Sequence, residues 1–368
     1  MINNDSGTLV SVILPVYNGK KYIAQTIEMI LASYHTNIEL ICVDDGSNDG
    51  SASICMQFAT KDKRVRFYQR KTNGGVAESR NTGLSLCKGD YICFADQDDL
   101  IEPDFYENLL RDIRKSKSEI AISNIGHYVN NHKNPTYTIK QNRKLEKAEK
   151  EKLLKWLLLD EAIADKPTDT VSKTVWNVMF SRRLIENNDI RFERVVANED
   201  DWLFLIRCIQ VADAVYLEKN TLYYWRIHNS QTTQNPRYII NYSDKRRHLR
   251  QIVDSICDNL DCTDEEKKEY NVRYCSRVFF IGFRNAANAV WTGKLKMTEG
   301  VEELELLYQS LEGYLSSVPE KTVLKNCKTE YGLVNEVMIA LVLKKKFQSA
   351  IKMNKLVMSL KQKNKKKH

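Results

Sequence analysis

A chain of 368 residues has room for one large domain and a second, smaller one, and its 42% hydrophobic and 28% charged residues are ordinary for a globular protein. The net charge of +8 is a local feature, because the ten lysines within 344–368 have no acidic residue among them. No apolar run approaches the roughly 18 residues of a membrane-spanning helix. Nine scattered cysteines without a CxxC pair argue against a disulfide framework or a zinc site.

Strand and helix patterns alternate through the first 125 residues. Short apolar, β-branched runs predict buried strands at 9–16, 38–43, 65–68, 91–95 and 119–123. Helical spacing between them predicts helices over 20–34, 50–60, 76–87 and 103–115. Because strands separated by helices of this length form βαβ units, we expect a largely parallel sheet.

The rest of the chain becomes progressively more helical. Residues 130–150 are polar and lysine-rich and predict a loop, followed by helices at 146–159 and 200–212 and a strand at 214–217. Beyond 235, a capping box at 263–266 and apolar spacing predict long helices, including 299–315 and 333–360. We therefore expect a catalytic domain over 1–235, a helical domain over 236–343 and a basic tail over 344–368.

Polar or acidic residues follow three of the predicted strands, at 17–18, 44–45 and 96–99. The carboxyl ends of parallel strands meet at one edge of a sheet, and ligands bind there. The carboxylates of 96–99 repel one another unless a cation neutralises them, and a hard divalent ion can bridge them to phosphate oxygens. The alternative is a solvated acidic turn that caps the next helix. Neither GxGxxG nor GxxxxGK[ST] is present, so a nucleotide must be held differently.

Two later stretches carry groups suited to catalysis or binding. Glu199, Asp200 and Asp201 can shift one another's pKa and supply a general base, although acidic residues are also common at a helix N-terminus. Alternation within 223–228 puts Arg226 and His228 on one side of a strand, where the arginine suits a phosphate and the histidine a phosphate or a metal. A structural aromatic strand is the alternative for that stretch.

Taken together and in this order, these stretches resemble the large family 2 glycosyltransferases with the GT-A fold. The matching stretches are SVILPVYNGKKYI (11–23), ELICVDDGSNDGS (39–51), NGGVAESRNTGL (73–84), GDYICFADQDD (89–99), VWNVMFSRRLI (175–185), EDDWLF (199–204) and YYWRIHNS (223–230). The resemblance covers about 10–230. It implies an α/β nucleotide-diphospho-sugar transferase fold, with a mostly parallel central sheet flanked by helices and a helical C-terminal region.

The resemblance also implies roles for individual residues. Those expected to bind the nucleotide sugar are Pro15, Tyr17, Asn18, Asp45, Arg80, Asp96, Gln97 and Arg226. Tyr17 is expected against the base, and Arg80 near the nucleotide or its phosphates. Asp96 and Asp98 match the DxD motif. A divalent ion, Mn²⁺ or Mg²⁺, is expected on three side chains: Asp98, Asp96 and His228.

The later acidic motif supplies the catalytic base in such enzymes, with Glu199 beside it here. Counting back from Phe204 selects Asp201, whereas counting forward from Glu199 selects Asp200. We favour Asp201 and keep Asp200 open. The base takes a proton from an acceptor hydroxyl, whose oxygen attacks the anomeric carbon opposite the diphosphate, so the resemblance implies inversion.

The expected function is transfer of a sugar from a nucleotide-diphosphate donor, a UDP-sugar, to a hydroxyl of a glycan or lipid-linked acceptor in cell-envelope polysaccharide synthesis. The alternative is a non-catalytic GT-A-fold subunit that assists another glycosyltransferase. A nucleotidyltransferase is a weaker alternative, because no glycine- and arginine-rich phosphate loop lies near the first strand.

The sequence of the C-terminal part is compatible with several kinds of binding partner. Phe347, Ile351 and Met358 recur among lysines, a pattern typical of an amphipathic helix on an anionic membrane surface or of a disordered basic end. We expect no nucleic-acid partner, because no recognition motif accompanies the lysines. The helices of 236–343 can pack on the catalytic domain, bind the acceptor or form a homo-oligomer. Without a secretory signal near the N-terminus, we expect a cytoplasmic protein, peripheral at the inner face of the membrane.

Overall fold

A computed structural model describes residues 7–159, 167–194, 199–228, 239, 241–260, 262–316, 318–331 and 333–365. The chain divides into two compact units. Described residues 7–157, 167–194 and 199–228 form the first, and those from 239 onward, with 158–159, belong to the second. The expected domain boundary at 235 lies outside the described residues.

The first unit is built on one mixed sheet. Its strands are β1 (Val10–Val16), β2 (Ile38–Asp44), β3 (Val65–Gln69), β4 (Tyr91–Phe94), β5 (Leu100–Ile101), β6 (Ile120–Val129), β7 (His132–Pro135), β8 (Arg143–Leu145), β9 (Val178–Ser181) and β10 (Val215–Arg226). Its helices are α1 (Ile23–Leu31), α2 (Ser51–Lys61), α3 (Val76–Leu86), α4 (Phe105–Ser116), α5 (Lys147–Leu159), α6 (Arg182–Asn187) and α7 (Asp200–Val211).

The strand order is β3-β2-β1-β4-β9-β6-β10-β5, with β7 paired to β6 and β8 paired to β10. Strands β3, β2, β1, β4, β6 and β10 all run in one direction, and β9 runs against its neighbours β4 and β6. The expected α/β fold with a mostly parallel central sheet is therefore confirmed. The reversed β9 and the short antiparallel strands make the sheet mixed.

The central strands are apolar because both faces of the sheet are covered. All seven residues of β2 are buried, and β1 is buried except for the half-exposed Pro15. Helix α3 packs directly on β1, where a Cβ added to Gly83 would lie 2.3 Å from a methyl carbon of Ile13. Burial on both faces explains the continuous apolar runs by which β1 and β2 are predicted from sequence.

Two strands lie where the sequence predicts a loop over 130–150. The hairpin β6–β7 turns through Asn130 and Asn131, whose φ angles are 50° and 65°. Asparagine tolerates this left-handed conformation, which matches a tight two-residue hairpin turn. All four residues of β7 are exposed, so the strand carries no hydrophobic alternation by which it could be recognised.

The second unit is helical, as expected. Its helices are α8 (Tyr242–Asp258), α9 (Asp264–Trp291), α10 (Met297–Leu315), α11 (Glu320–Tyr331), α12 (Leu333–Leu343) and α13 (Phe347–Lys365). The capping box that begins α9 is confirmed, since the Thr263 hydroxyl accepts the Glu266 N–H at 3.2 Å and the Glu266 carboxylate accepts the Thr263 N–H at 2.9 Å. None of the helices described here is long and apolar enough to cross a membrane.

The C-terminal helix departs from expectation in two respects. The helix expected over 333–360 is divided into α12 and α13, with Lys345 at the break in a left-handed conformation (φ 56°). Phe347 and Ile351 are buried in the core of the helical unit. They therefore cannot form an apolar face on a membrane, because the same face of α13 packs against neighbouring helices.

Candidate functional site

The acidic turn 96–99 lies between β4 and β5, at the carboxyl edge of the sheet. Loops after β1 and β2 and the end of β10 reach the same edge, because these strands run in the same direction as β4. The sheet therefore brings together the polar clusters that follow separate strands in the sequence.

The end of β10 holds the acidic turn through a series of hydrogen bonds. The Arg226 N–H donates to Asp99 Oδ1 at 2.9 Å, and Arg226 Nε donates to the Asp98 carbonyl at 2.6 Å. His228 Nε2 lies 2.7 Å from Asp98 Oδ2. At the start of the turn, the Asp96 N–H donates to the Tyr223 hydroxyl at 3.0 Å. The aromatic stretch 223–228 is thus part of the site.

Arg80 joins the acidic turn to the second group of carboxylates. Its guanidinium bonds Asp96 at 3.0 Å and also bonds Asp201 at the start of α7. The side chain is only 2% exposed and lies over the rings of Phe94 and Phe192, 5.9 Å and 5.2 Å from their centres. One buried arginine therefore brings residues 105 positions apart in the sequence into a single cluster.

Burial shifts the proton affinities of this cluster. Burial raises the pKa of Asp201 to about 7, and the neighbouring Asp200 and Asp96 add to the effect, while Arg80 opposes it. Burial likewise raises the pKa of Asp200, although Arg80 again opposes the shift. The pKa of Asp98 is raised by burial and by Asp96, against the hydrogen bond from His228. The pKa of Arg80 is raised because its carboxylate partners outweigh its burial.

The loop after β2 places a buried carboxylate beside a glycine turn. Asp45 is 3% exposed and accepts hydrogen bonds from Arg70 at 2.6 Å and from the N–H groups of Gly74 and Gly75 at 3.0 and 2.7 Å. Gly75 has a φ of 86°, a conformation that favours glycine. Arg70 was not singled out from the sequence, which gives no local sign of its partner.

The loop after β1 connects the other two loops. The Gln97 side chain bonds both the N–H and the carbonyl of Tyr17 at 2.9 Å. The Asn18 N–H donates to the Ser47 hydroxyl at 3.0 Å, and its own Oδ1 accepts the Asn48 N–H at 2.9 Å. Tyr17 is 39% exposed, so its ring can meet a ligand.

The two arginines expected near phosphates are held by the protein itself. Arg80 lies between carboxylates, as described above. The Arg226 guanidinium lies 4.8 Å and 5.0 Å from the ring centres of Tyr22 and Tyr128 and donates to Gln25 at 2.7 Å. Both arginines therefore organise the acidic cluster in this structure, and the sequence gives no sign of the contacts of Arg226 with Tyr22, Gln25 and Tyr128.

The residues expected to bind a metal ion form a partial site. Within the described ranges, no group of three or more Asp, Glu, His or Cys residues is arranged to hold an ion. Asp98 and His228 nevertheless place an oxygen and a nitrogen donor side by side, with Asp96 in the same turn. The carboxylates of Asp96 and Asp98 are the oxygen ligands that suit Mg²⁺ or Mn²⁺, and an ion there could also take ligands from substrate phosphates.

Residues 11–166 match the glycosyl transferase family 2. This stretch is under half of the chain, and over it the chain is similar to that family. Among similar proteins, the glycosyltransferase GlyG of Streptococcus pneumoniae serotype 4 is 39% identical over 120 residues, which are 33% of this chain and 40% of GlyG. The uncharacterized glycosyltransferase EpsJ of Bacillus subtilis is 29% identical over 231 residues, 62% of this chain and 64% of EpsJ. The chain therefore spans less than two thirds of either relative.

A solved structure shares the fold. The crystal structure of S. aureus TarS residues 1–349 in complex with UDP-GlcNAc matches with a TM-score of 0.61, covering 95% of this chain and 91% of TarS 1–349 at 19% identity. The expected GT-A fold is thereby confirmed.

Proposed function

We propose that the protein is a glycosyltransferase that moves a sugar from a UDP-sugar to a hydroxyl of a glycan or lipid-linked acceptor. The observation that carries the proposal is the single cluster formed by the acidic turn, Arg80 and the carboxylates of α7. Clustered carboxylates in a nucleotide-sugar transferase fold are suited to bind a metal diphosphate on one side and to supply a base on the other.

The donor site is supported by the loops after β1 and β2. Tyr17 offers an exposed ring and Asp45 a fixed carboxylate, on neighbouring loops tied together by Asn18. The TarS crystal structures in complex with UDP-GlcNAc and UDP support a uridine nucleotide as donor. Pro15 and Gln97 complete the surface on which we place the nucleotide.

A divalent ion, Mn²⁺ or Mg²⁺, would be held by Asp98, Asp96 and His228 together with the diphosphate. When bound, it supplies Lewis-acid neutralisation of the negative charge on the leaving group. Arg226 acts in this arrangement by fixing the Asp98 carbonyl, and the 2.7 Å contact of His228 Nε2 with Asp98 Oδ2 keeps these two proposed ligands adjacent.

Asp201 is the proposed catalytic base. Its pKa of about 7 allows it to accept a proton near neutral pH, and its side chain retains 15% exposure, enough to meet an acceptor hydroxyl. Asp201 takes the hydroxyl proton, the acceptor oxygen forms a bond to the anomeric carbon, and the bond to the diphosphate breaks. Attack opposite the leaving group inverts the configuration. Asp200 directly precedes the proposed base within α7, and Glu199 lies just before the helix.

The experiment is a screen of UDP-sugars with Mn²⁺ or Mg²⁺, in which released UDP is measured. We expect metal-dependent release that is abolished in Asp98→Asn and in Asp201→Asn. Asp258→Ala, whose side chain is 75% exposed on α8, is the control and is expected to match the unsubstituted protein. Retained release in both acidic variants would refute the assigned mechanism, and no release with any donor would favour the non-catalytic partner subunit.

We also infer that the protein works at the cytoplasmic face of a membrane. All nine cysteines are free thiols, which supports a reducing compartment. Lysines 344–346, 352 and 355 are exposed, and Leu356 beside them is 61% exposed. These exposed residues lie just before α13 and in its first turns, and they support contact with anionic lipids. Self-association through the helical unit stays a prediction.

A further inference from the structure

Tyr223 is a polar residue in the interior of the first unit. It lies in β10, is 0% exposed and belongs to the main apolar core. Its ring stacks on Trp176, with centres 4.4 Å apart and planes at 29°, and meets Phe105 edge-on at 6.0 Å. Because aromatic packing fixes the ring on two sides, the direction of its hydroxyl is fixed as well.

The hydroxyl points to the first backbone group of the acidic turn. The last sheet hydrogen bond next to β4 is donated by Ala95 to the Ile13 carbonyl at 3.0 Å. The next N–H along the chain, that of Asp96, has left the sheet ladder and donates to Tyr223 Oη at 3.0 Å. A side chain thus replaces the missing strand partner where the chain turns away from the sheet.

The other end of the same turn is held by the same strand. Asp99 is fully buried, and its Oδ1 accepts the Arg226 N–H at 2.9 Å. The turn is therefore anchored to β10 at both ends, by Tyr223 at Asp96 and by Arg226 at Asp99, and the Tyr223 hydroxyl also hydrogen-bonds the Asp99 side chain. Asp98 lies between the two anchors.

We propose that Tyr223 is a positioning residue for the metal diphosphate site, an inference that rests on the proposed function. Its hydroxyl fixes the Asp96 peptide and thereby the spacing of the Asp96 and Asp98 carboxylates. The residue touches neither substrate nor ion. Loss of the hydroxyl leaves a buried N–H without its acceptor, so the turn relaxes and the two carboxylates lose their preset spacing.

The test is Tyr223→Phe, which removes one oxygen atom and keeps the packed ring. The control is Tyr224→Phe, the adjacent residue in β10, which is 7% exposed and whose ring covers Gly126 instead of the acidic turn. Three quantities are measured for each variant: Mn²⁺ binding in the presence of UDP by electron paramagnetic resonance, UDP binding with excess EDTA by calorimetry, and the Mn²⁺ concentration for half-maximal UDP release.

For Tyr223→Phe we expect Mn²⁺ affinity to fall about tenfold, the scale of one lost hydrogen bond, with a matching rise in the half-maximal Mn²⁺ concentration. UDP binding in EDTA should weaken much less than Mn²⁺ binding, because the hydrogen bonds of Tyr17 and Asp45 run to Gln97, Arg70 and the glycine turn and not to the Tyr223 hydroxyl. A merely structural role would weaken both kinds of binding together. Tyr224→Phe should match the unsubstituted protein in all three measurements.

Unchanged Mn²⁺ affinity in Tyr223→Phe, with an active unsubstituted protein, would overturn the inference and leave the proposed function standing. Absence of Mn²⁺-dependent UDP binding in the unsubstituted protein would overturn both. Trp176→Phe keeps the hydroxyl and weakens the stacking on Tyr223, so it provides a second variant if Tyr223→Phe does not fold. It should weaken Mn²⁺ binding in the same direction but less, and no change would count against the inference.

Discussion

Asp200 and Asp201 are neighbours in α7 with different surroundings. The Asp201 carboxylate contacts Arg80 and keeps 15% exposure, whereas Asp200 as a residue is 7% exposed. Contact with Arg80 ties Asp201 to the acidic turn, and therefore to the place where the donor diphosphate is expected. The geometry thus favours the assignment obtained by counting back from Phe204.

Replacement of each aspartate by asparagine separates the two assignments. We expect Asp201→Asn to lower kcat by at least about 100-fold with little change in the KM for the donor, because general bases typically contribute 10²–10⁴ to a rate. Asp200→Asn should lower kcat by less than about tenfold. Initial rates of UDP release with saturating acceptor measure both. A larger loss in Asp200→Asn than in Asp201→Asn would reverse the assignment.

The sequence predicted which residues are candidates for the site but not their partners. The sequence motifs contained all the carboxylates of the candidate site, because acidic residues that follow apolar strands can be recognised in the sequence itself. Tyr223 and Asp96 are 127 positions apart, and Arg70 meets Asp45 only after β3 pairs with β2. Charge alone also cannot tell whether Arg80 bonds a phosphate or Asp201. Tertiary packing decides which partner each of these side chains bonds.

Helix α4 and strand β10 are joined by a pair of buried carboxyl groups. Asp112 is 3% exposed, and Glu218 on β10 is fully buried. Arg111 contacts both, at 2.9 Å and 3.5 Å, and Asn142 donates to Glu218 at 2.9 Å. Burial first, and then Glu218, raises the pKa of Asp112 from 3.8 to about 7. The folded protein therefore binds more protons than the unfolded chain between these two values.

This difference makes stability depend on pH with a defined sign. The folded state is favoured below pH 4, and its advantage declines as pH rises from about 4 to 7. We expect Asp112→Asn to remove that decline and to stabilise the protein by about 2 kcal/mol at pH 8 relative to pH 5. Thermal unfolding at the two pH values measures the effect. An identical pH dependence in the variant and the unsubstituted protein would show that Asp112 does not carry it.

In the helical unit, a buried arginine connects three helices. Arg250 of α8 is 6% exposed and lies 4.9, 4.8 and 4.4 Å from the ring centres of Tyr270, Tyr274 and Tyr314, on α9 and α10. It also bonds Asp254 at 2.7 Å, and Tyr314 donates to the other oxygen of that carboxylate at 2.8 Å.

Arg250→Met should destabilise the helical unit by about 3 kcal/mol, because removal of one member leaves the Asp254 carboxylate without its cation and opens the tyrosine cluster. Arg247→Met is the control, since that side chain is 49% exposed on the same helix and should change stability by less than about 0.5 kcal/mol. Urea unfolding followed by circular dichroism compares them. Equal urea midpoints for the two variants would show that Arg250 does not stabilise the packing of these three helices.

Helices and strands were predicted well where the pattern of their own residues determines them. Strands β1 to β4 and helices α1 to α4 lie within a few residues of their predicted ranges, because most of them bury an apolar run of their own. Strands β7 and β8 and most of β10 are polar or aromatic and form by pairing with distant strands. Helix α8 has a strong apolar face, but its many charged residues hide that pattern in the sequence, so its bounds were not predicted.

The net positive charge of the whole chain is concentrated in 344–368, where ten lysines have no acidic residue among them. Lys352, Lys355 and the 61% exposed Leu356 share the outward face of α13. We expect the protein to sediment with phosphatidylglycerol vesicles and not with phosphatidylcholine vesicles. Combined Lys352→Glu and Lys355→Glu changes should lower binding at least tenfold, since each lysine near an anionic surface contributes about 1 kcal/mol.

The matched control reverses two exposed lysines of the first unit, Lys61→Glu and Lys63→Glu, with the same change in net charge. It should leave vesicle binding close to that of the unsubstituted protein. Equal losses in both double variants would indicate a response to net charge alone and would count against α13 as the lipid-binding surface.

The whole proposal depends on the binding of a nucleotide diphosphate where the acidic turn and α7 meet. Calorimetric titration of UDP in the presence of Mn²⁺ measures this directly. We expect binding that weakens at least about tenfold in EDTA and in Asp98→Asn, because the ion and its carboxylate ligand neutralise the diphosphate. UDP that fails to bind with Mn²⁺, or that binds Asp98→Asn as tightly as the unsubstituted protein, would contradict the proposed site.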